Sequence, residues 1–332
     1  MIKVHCLVSC VCETIKRSDA DHRPYYFGVW DSSFSLSADY VLSHHDEKID
    51  HQEMLVWYEQ LYGIPVEEWY DHEQSKELNI AHLIKRVEQK NEDESVIVML
   101  DLASLPEREN KFHHDVFPHY VMLEATENPE VWHMLDPDFR YEGDVARERI
   151  LEAVRHPAVA GGFAFQSTDV RIPDATTVSA YFMSCLNVHH PLTEAVRRVV
   201  HHYRKQPEGL PNALKQLPVI AIRKYAYEHA FAYLYETIGR DLQTSDFEEW
   251  TDEVETLVNQ YSVIQHRAVK YAVTRQPEVY LEIERLIEEQ WARESAIKRQ
   301  LVDTFHAYQR QEGIEHETRT LHDQLSASSA FI

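Results

Sequence analysis

Apolar residues follow a two-residue period or run in short branched blocks only between residues 95 and 166. Past residue 178 every periodic stretch repeats at helical spacing. That partition sets the expected fold class: an α+β first domain with a mainly antiparallel sheet, followed by an all-α domain. SVIVMLDLASL (95–105) has the branched apolar run of a buried strand. HYVMLEAT (119–126) and VWHMLDPD (131–138) are two more, joined hairpin-fashion through Glu127-Asn128-Pro129-Glu130, and GGFAFQ (161–166) is a fourth. Ahead of them, helices are expected over 6–17, starting at Cys6, over 50–62, opened by Asp50 and ended by Gly63, and over 73–91. Residues 23–45, rich in Tyr, Phe, Trp and Ser, read as irregular or short-stranded. VARERILEAVRH (145–156) reads as a helix with Val145, Ile150, Leu151 and Val154 as its apolar set. The polar stretch 167–178, broken by Pro173, is the best linker, so domains over 1–170 and 178–332 are expected. In the second, helices are expected over 190–205, 211–240, 245–272, 276–312 and 315–326.

Glycine scarcity narrows the chemistry. Eight glycines in 332 residues is about a third of the usual frequency, and GxGxxG, GxxxxGK[ST] and GxSxG are all absent. A Rossmann dinucleotide site, a P-loop and an α/β-hydrolase elbow each need glycine for close backbone approach, so none is expected. Thirty-three Lys and Arg against 56 Asp and Glu leave a net charge of −23. Such a field repels phosphate backbones and anionic membranes, which argues against nucleic acid and membrane partners. It draws in a cationic small molecule such as a polyamine, or serves solubility alone.

Cysteine placement bears on compartment. Cys6, Cys10 and Cys12 fall within seven residues, with Cys185 apart, too close for a disulfide framework and in keeping with a reducing cytosol. Leu7-Val8-Ser9-Cys10 has the form of a lipoprotein cleavage box, but too little precedes it for a charged head and an apolar stretch of about 7–15 residues. No apolar run of about 18 residues occurs either. A cytoplasmic protein is expected.

The arrangement best suited to chemistry is Cys6 at a helix start, His119 at the head of a strand and Asp136 at the end of the next. Unpaired N–H groups and the helix dipole stabilise a thiolate at a helix N-terminus. A neighbouring imidazole moves the proton, and an acid on the adjacent antiparallel strand holds that imidazole in one orientation. The Cys6 backbone N–H is a candidate oxyanion donor. By spacing alone the same residues read equally as inert core and a chance His–Asp hairpin, since the chain holds 21 His and 56 acids.

Other residues carry paired readings. Cys10 is a second candidate nucleophile, though a mid-helix thiol lacks the terminal N–H groups. Cys6, Cys10, Cys12 and His5 suggest a metal site, but Cys12 points away on a helix and no second CxxC exists, so no metal is expected. The pairs His44-His45, His113-His114, His189-His190 and His201-His202 read as solvated turns and helix faces; His113 and His114 are rivals of His119 for the base role. Asp101 either touches an acceptor amine or caps the next turn. Tyr25, Tyr26, Phe27 and Trp30 either stack on an aryl ring or form core. Residues 236–255 hold eight acids, an acceptor wall or a solvated face. Arg197, Arg198, Arg204 and Lys205 form a basic patch able to dock an acidic partner, or a solvated helix face.

His5-Cys6 opening a helix, then Ile97 through Asp101 to Pro106, then His119-Tyr120-Val121-Met122-Leu123 and Leu135-Asp136-Pro137-Asp138, recur in an order that resembles a papain-like acyltransferase group. Its members include the butirosin acyltransferase and the leader peptidases that process bacteriocins. The likeness spans residues 1–166 and is greatest to the siderophore-condensing branch. It implies a papain-like fold and a transfer of an acyl group from the phosphopantetheine thioester of a carrier protein to an amine. In that branch the acyl group is 3,4-dihydroxybenzoyl and the acceptor is spermidine or a citryl-spermidine. Cys6 would be the nucleophile, His119 the general base and Asp136 its orienting acid. The enzyme would need no cofactor of its own, since the aryl carrier protein brings the donor. The peptidases carry an oxyanion-hole glutamine about six residues before the cysteine, a position this chain lacks, so another donor, or a different way of holding the oxyanion, is expected, and proteolysis is less expected than transfer. A thioester or amide hydrolase of the same fold, and a non-catalytic scaffold that binds carrier protein or polyamine, are the alternatives.

Overall fold

The computed structural model describes residues 4–46, 49–108, 115–166 and 168–314. The chain forms two compact units, residues 1–25 with 50–173, and residues 26–49 with 174–332. The helix expected over 315–326, and His113 and His114, lie outside the described residues.

The first unit is built on a six-stranded sheet. Its strands are β1 (Glu67–Glu68), β2 (Glu94–Asp101), β3 (Pro118–Ala125), β4 (Val131–Asp136), β5 (Tyr141–Ala146) and β6 (Gly162–Gln166), in the order β1-β6-β2-β3-β4-β5. Every pairing is antiparallel, and mixed α and β with an antiparallel sheet is the class expected. Helices α1 (Cys6–Ile15), α2 (Gln52–Tyr62), α3 (Lys76–Gln89) and α4 (Arg147–Arg155) accompany it. Val96, Val98 and Leu100 of β2, Val121 and Leu123 of β3, and Trp132 and Met134 of β4 share one buried cluster. Ile80, Leu83 and Val87 of α3 and Ile150, Leu151 and Val154 of α4 cover it. Alternate residues along each strand feed that cluster, as a period of two requires.

One expectation is corrected here. Val145 belongs to a strand and not to the start of a helix: β5 pairs along β4, with Val145 opposite Trp132, and α4 begins only at Arg147. Tyr141, Gly143 and Val145 are half-buried or buried and alternate with exposed Glu142 and Asp144, the signature of an edge strand carrying charge on its open face.

The second unit is helical: α5 (Ala175–Cys185), α6 (Pro191–His202), α7 (Ala226–Thr237), α8 (Ser245–Thr274) and α9 (Pro277–Glu312). Helix α5 begins inside the stretch expected to be linker. Asp174 caps it, accepting from the backbone N–H and the hydroxyl of Thr177, both at 2.9 Å. The single helix expected over 211–240 is instead a set of short turns over 210–225 followed by α7. Pro211 and Pro218 each start a new turn, because proline lacks the N–H a continuing helix needs.

A buried charge cluster holds residues 26–49 within this unit. Lys224 Nζ lies 2.6 Å from Asp31 Oδ1 and 2.5 Å from Glu294 Oε1, and Lys298 Nζ lies 2.6 Å from Asp31 Oδ2. Lys298 also donates to the carbonyls of Asn187 and His189, at 2.7 and 2.6 Å. Two cations thus meet two anions. Burial alone would raise the Asp31 carboxyl, but the two ammonium groups outweigh it and bring it down to about 2. His190 corrects the expectation of a solvated histidine. It is fully buried, with Nε2 on Ser295 Oγ at 2.8 Å, and burial pushes it down to about 4, so it stays neutral beside Glu294. Tyr26 stacks on His229 (centroids 4.0 Å apart) and Trp30 on Tyr227 (5.0 Å).

Removing one cation leaves Asp31 buried without full compensation. Lys298→Met is expected to cost about 3–5 kcal/mol, read as a lower urea midpoint. A variant as stable as the parent would show that the cluster carries little net stability.

Candidate active site

Helix α1 is buried along almost its whole length, from Leu7 to Ile15, and Cys6 at its head is partly exposed. His5 precedes it in extended backbone (φ −167°, ψ 121°) and offers no side-chain cap, while its carbonyl accepts the first helical bond from Ser9 N–H at 2.8 Å. The first-turn N–H groups around Cys6 therefore have no helical partner and remain able to bind negative charge.

The head of α1 is tied down by a residue far along the chain. Asp138 Oδ1 accepts from Val4 N–H at 3.3 Å and from Ser9 Oγ at 3.0 Å. It is nearly buried. Asp138 stands in the quoted motif Leu135-Asp136-Pro137-Asp138 but drew no role from sequence. The signal was there: a second acid two residues after Asp136, in a turn leaving a strand.

His119 and Asp136 come together as the hairpin implies. The register Met122↔Leu135 and Leu123↔Met134 sets Asp136 level with Val121, so His119 lies one diagonal step away on the same face. His119 Nε2 is 3.0 Å from Asp136 Oδ1. That oxygen also accepts Phe139 N–H at 3.1 Å, while Arg108 Nη2 faces Oδ2 at 3.2 Å. Arg108 is itself buried, with its guanidinium 4.6 Å from the Tyr141 ring centroid and 5.6 Å from that of Phe139. Sequence gave no hint of Arg108, which lies in a turn with no periodicity.

The electrostatics follow. Burial would lower His119, but Asp136 and Cys6, through charge and hydrogen bonding, outweigh it and raise it to about 10. Asp136 is pushed up by burial and pulled down further by His119, Phe139 N–H and Arg108, leaving it below the usual carboxylate range. Cys6, His119 and Asp136 thus form one interacting chain. Cys10, one turn on, is different. It is fully buried against Tyr120 O, and burial followed by the charge of Cys6 pushes its thiol well up.

The remaining candidates are placed elsewhere. Asp101 is buried at the end of β2, accepting Ala103 N–H (3.1 Å), Ser104 Oγ (2.6 Å) and Phe117 N–H (2.8 Å); it caps the turn. Tyr25, Tyr26, Phe27 and Trp30 are buried, with at most 2 % exposure, the core alternative of their two readings. Tyr25 packs on Tyr58 and Tyr62 and donates to Met54 O. The acids of 236–255 stand mostly in solvent. Among the described residues no three His, Cys, Asp or Glu side chains are grouped to hold a metal ion, and no helix is long and apolar enough to cross a membrane.

A thiol at a helix head, an imidazole and a buried carboxylate meet here in that chain order, a combination chemically suited to nucleophilic acyl chemistry. Residues 1–170 match the DUF6005 N-terminal domain and residues 176–322 the DUF6005 C-terminal domain, and the chain belongs to that family. It is 44% identical over 311 residues to the petrobactin synthase of Bacillus anthracis, an alignment covering 92% of this chain and 94% of that protein.

Two tests address the geometry. His119 gains its proton affinity on folding, so its stabilisation is complete below about pH 6.5, declines as pH rises and vanishes above about 10. The gap in urea midpoint between wild type and His119→Gln should therefore close as pH is raised; a gap that widens contradicts the pairing. Asp138→Ala should lose about 1–3 kcal/mol and slow Cys6 alkylation by iodoacetamide, with Asp138→Asn keeping most of both. Unchanged alkylation in Asp138→Ala would mean that Cys6 is positioned by other contacts.

Proposed function

We propose that the chain is a biosynthetic enzyme of petrobactin assembly, an acyltransferase that joins a 3,4-dihydroxybenzoyl group to an amine of spermidine or a citryl-spermidine. The observation that carries this reading is the Cys6–His119–Asp136 chain at the head of α1. Identity to petrobactin synthase supplies the pathway. A buried helix bearing its cysteine at the N-terminus beside an antiparallel sheet supports a papain-like assignment for the first unit.

The steps follow from the geometry. The Cys6 thiolate attacks the carbonyl carbon of the thioester, and the oxygen gains negative charge opposite the first-turn N–H groups. Collapse expels the pantetheine thiolate, which takes the His119 proton. Acylation removes the charge on Cys6 that helped hold that proton, so His119 gives it up more readily at this stage. Neutral His119 then takes a proton from the attacking primary amine. The second tetrahedral intermediate expels Cys6 as thiolate, and imidazolium and thiolate are restored. One thioester and one amine become one amide and one free pantetheine thiol. Asp136, fixed by Arg108 and Phe139 N–H, keeps the ring oriented throughout. A thiolate leaves without help from a strong acid, which suits a site whose proton donor holds its proton tightly. The −23 charge favours a polyammonium acceptor over a neutral amine.

Intact mass after mixing with an aryl carrier protein loaded with 3,4-dihydroxybenzoate should show an acyl adduct on Cys6 that disappears as spermidine is added and amide forms. Cys6→Ala should fold and lose turnover by about three orders of magnitude or more. An adduct whose loss spermidine does not accelerate would point to hydrolysis. Full activity in Cys6→Ala would overturn the covalent route.

A further inference from the structure

The second unit carries a groove of about 600 Å³ whose lining sets Arg197, Arg198, Tyr40 and Tyr280 beside two carboxylates, Glu284 and Glu288. It lies along the exposed face of α6. From Ala195 through Pro207 the chain has four cations and two histidines and no acid, although acids outnumber bases 56 to 33 overall. Arg197 pairs with Glu288 at 2.9 Å. Arg198, Arg204 and Lys205 do not: they stand exposed, and among the described residues no carboxylate pairs with them.

The arginines are held by rings instead. Arg198 lies 5.8 Å from the centroid of Tyr40, and Arg204 lies 4.8 Å from that of Tyr280. Tyr40 in turn stacks on His202, with centroids 4.1 Å apart and planes 13° from parallel. It does so from left-handed backbone, φ 58°, a conformation that is uncommon and costly for a residue with a Cβ. A ring orients a guanidinium without neutralising it, so the positive charge stays available to an incoming anion.

We propose that this face docks the acidic, phosphopantetheine-bearing carrier protein that delivers the acyl group; the assignment of that partner rests on the acyltransferase reading. The carrier's phosphodiester and acidic surface are repelled by a chain of −23. The stretch along α6 is where that repulsion reverses. Charge complementarity at such a rim sets approach rate and register.

The test separates docking from chemistry. Binding of the 3,4-dihydroxybenzoyl-loaded aryl carrier protein is measured by titration calorimetry for wild type and for the double variant Arg198→Glu, Lys205→Glu. Turnover is measured in parallel with a small donor, the N-acetylcysteamine thioester of the same acid. Both residues are exposed, and a melting curve checks that the variant folds. The expected result is a loss of carrier affinity of about tenfold or more and unchanged turnover of the small donor. In wild type, affinity should also fall with added salt. Equal affinity in the two proteins, or no binding of carrier by wild type, overturns the docking proposal. Failure of wild type to turn over either donor, with carrier binding still lost in the variant, overturns the acyltransferase reading and leaves the docking face standing. If Arg198→Lys, Lys205→Arg loses as much affinity as the charge reversal, shape and not charge governs the face, and the electrostatic account fails.

Discussion

Asp136 carries a carboxylate with no exposure to water, and the candidate site depends on that burial being tolerable. An isolated buried carboxylate would take up a proton. Here His119 Nε2, Phe139 N–H and Arg108 face its two oxygens at 3.0–3.2 Å, and it stays ionised. An ionised Asp136 keeps His119 protonated beside Cys6. Arg108 thus stands behind the whole chain of charge, acting through its contact with Asp136. A second carboxylate two residues on does mechanical work: Asp138 binds the strand before α1 and the first turn of α1 itself. One turn after β4 therefore orients His119 through Asp136 and seats the head of the Cys6 helix through Asp138.

The second unit solves the same problem with the opposite arithmetic. Asp31 and Glu294 are balanced by Lys224 and Lys298, so the cluster is neutral, and His190 beside it remains uncharged. Nothing there is left poised to exchange a proton near neutrality. A balanced buried cluster of this kind is poor evidence for catalysis and fits a role in fixing which segment packs where. Asp31 supplies that role, since it brings residues 26–49 into the helical unit by charge, as Tyr26 and Trp30 do by stacking.

Much of this was legible in the sequence, and the failures have causes. The strands from 95 to 136 were readable because branched apolar runs and a tight hairpin leave few alternatives. His119 and Asp136 followed from that hairpin, because antiparallel register is set by the turn. β5 was misread because Val145 is compatible with both the helix after it and the strand it ends, and only its partner Trp132 decides. Helix α5 was hidden by Pro173, although Asp174 with Thr177 three residues on is a recognisable cap. Arg108, Lys224 and Lys298 were not legible at all. A buried cation looks like a surface one until its partner, 28 to 267 residues away, is known.

Cys6 and Cys10 show how strictly environment overrides residue type. The two thiols sit one turn apart on the same helix, in the same electrostatic field and near the same acids. Cys10 is enclosed, bonded to the Tyr120 carbonyl, and burial holds its proton on. Cys6 lies at the boundary where helical hydrogen bonding has not begun, with His119 within hydrogen-bonding reach. Had the helix started one turn earlier, Cys6 would have lost the unpaired N–H groups, and Cys10 would be no better placed. The extended His5 is what prevents this: its backbone breaks the helix there, and Asp138 fixes the break by holding Val4 on one side and Ser9 on the other. The different settings of the two thiols therefore follow from where α1 begins, and that point is fixed by a carboxylate 129 residues beyond Ser9.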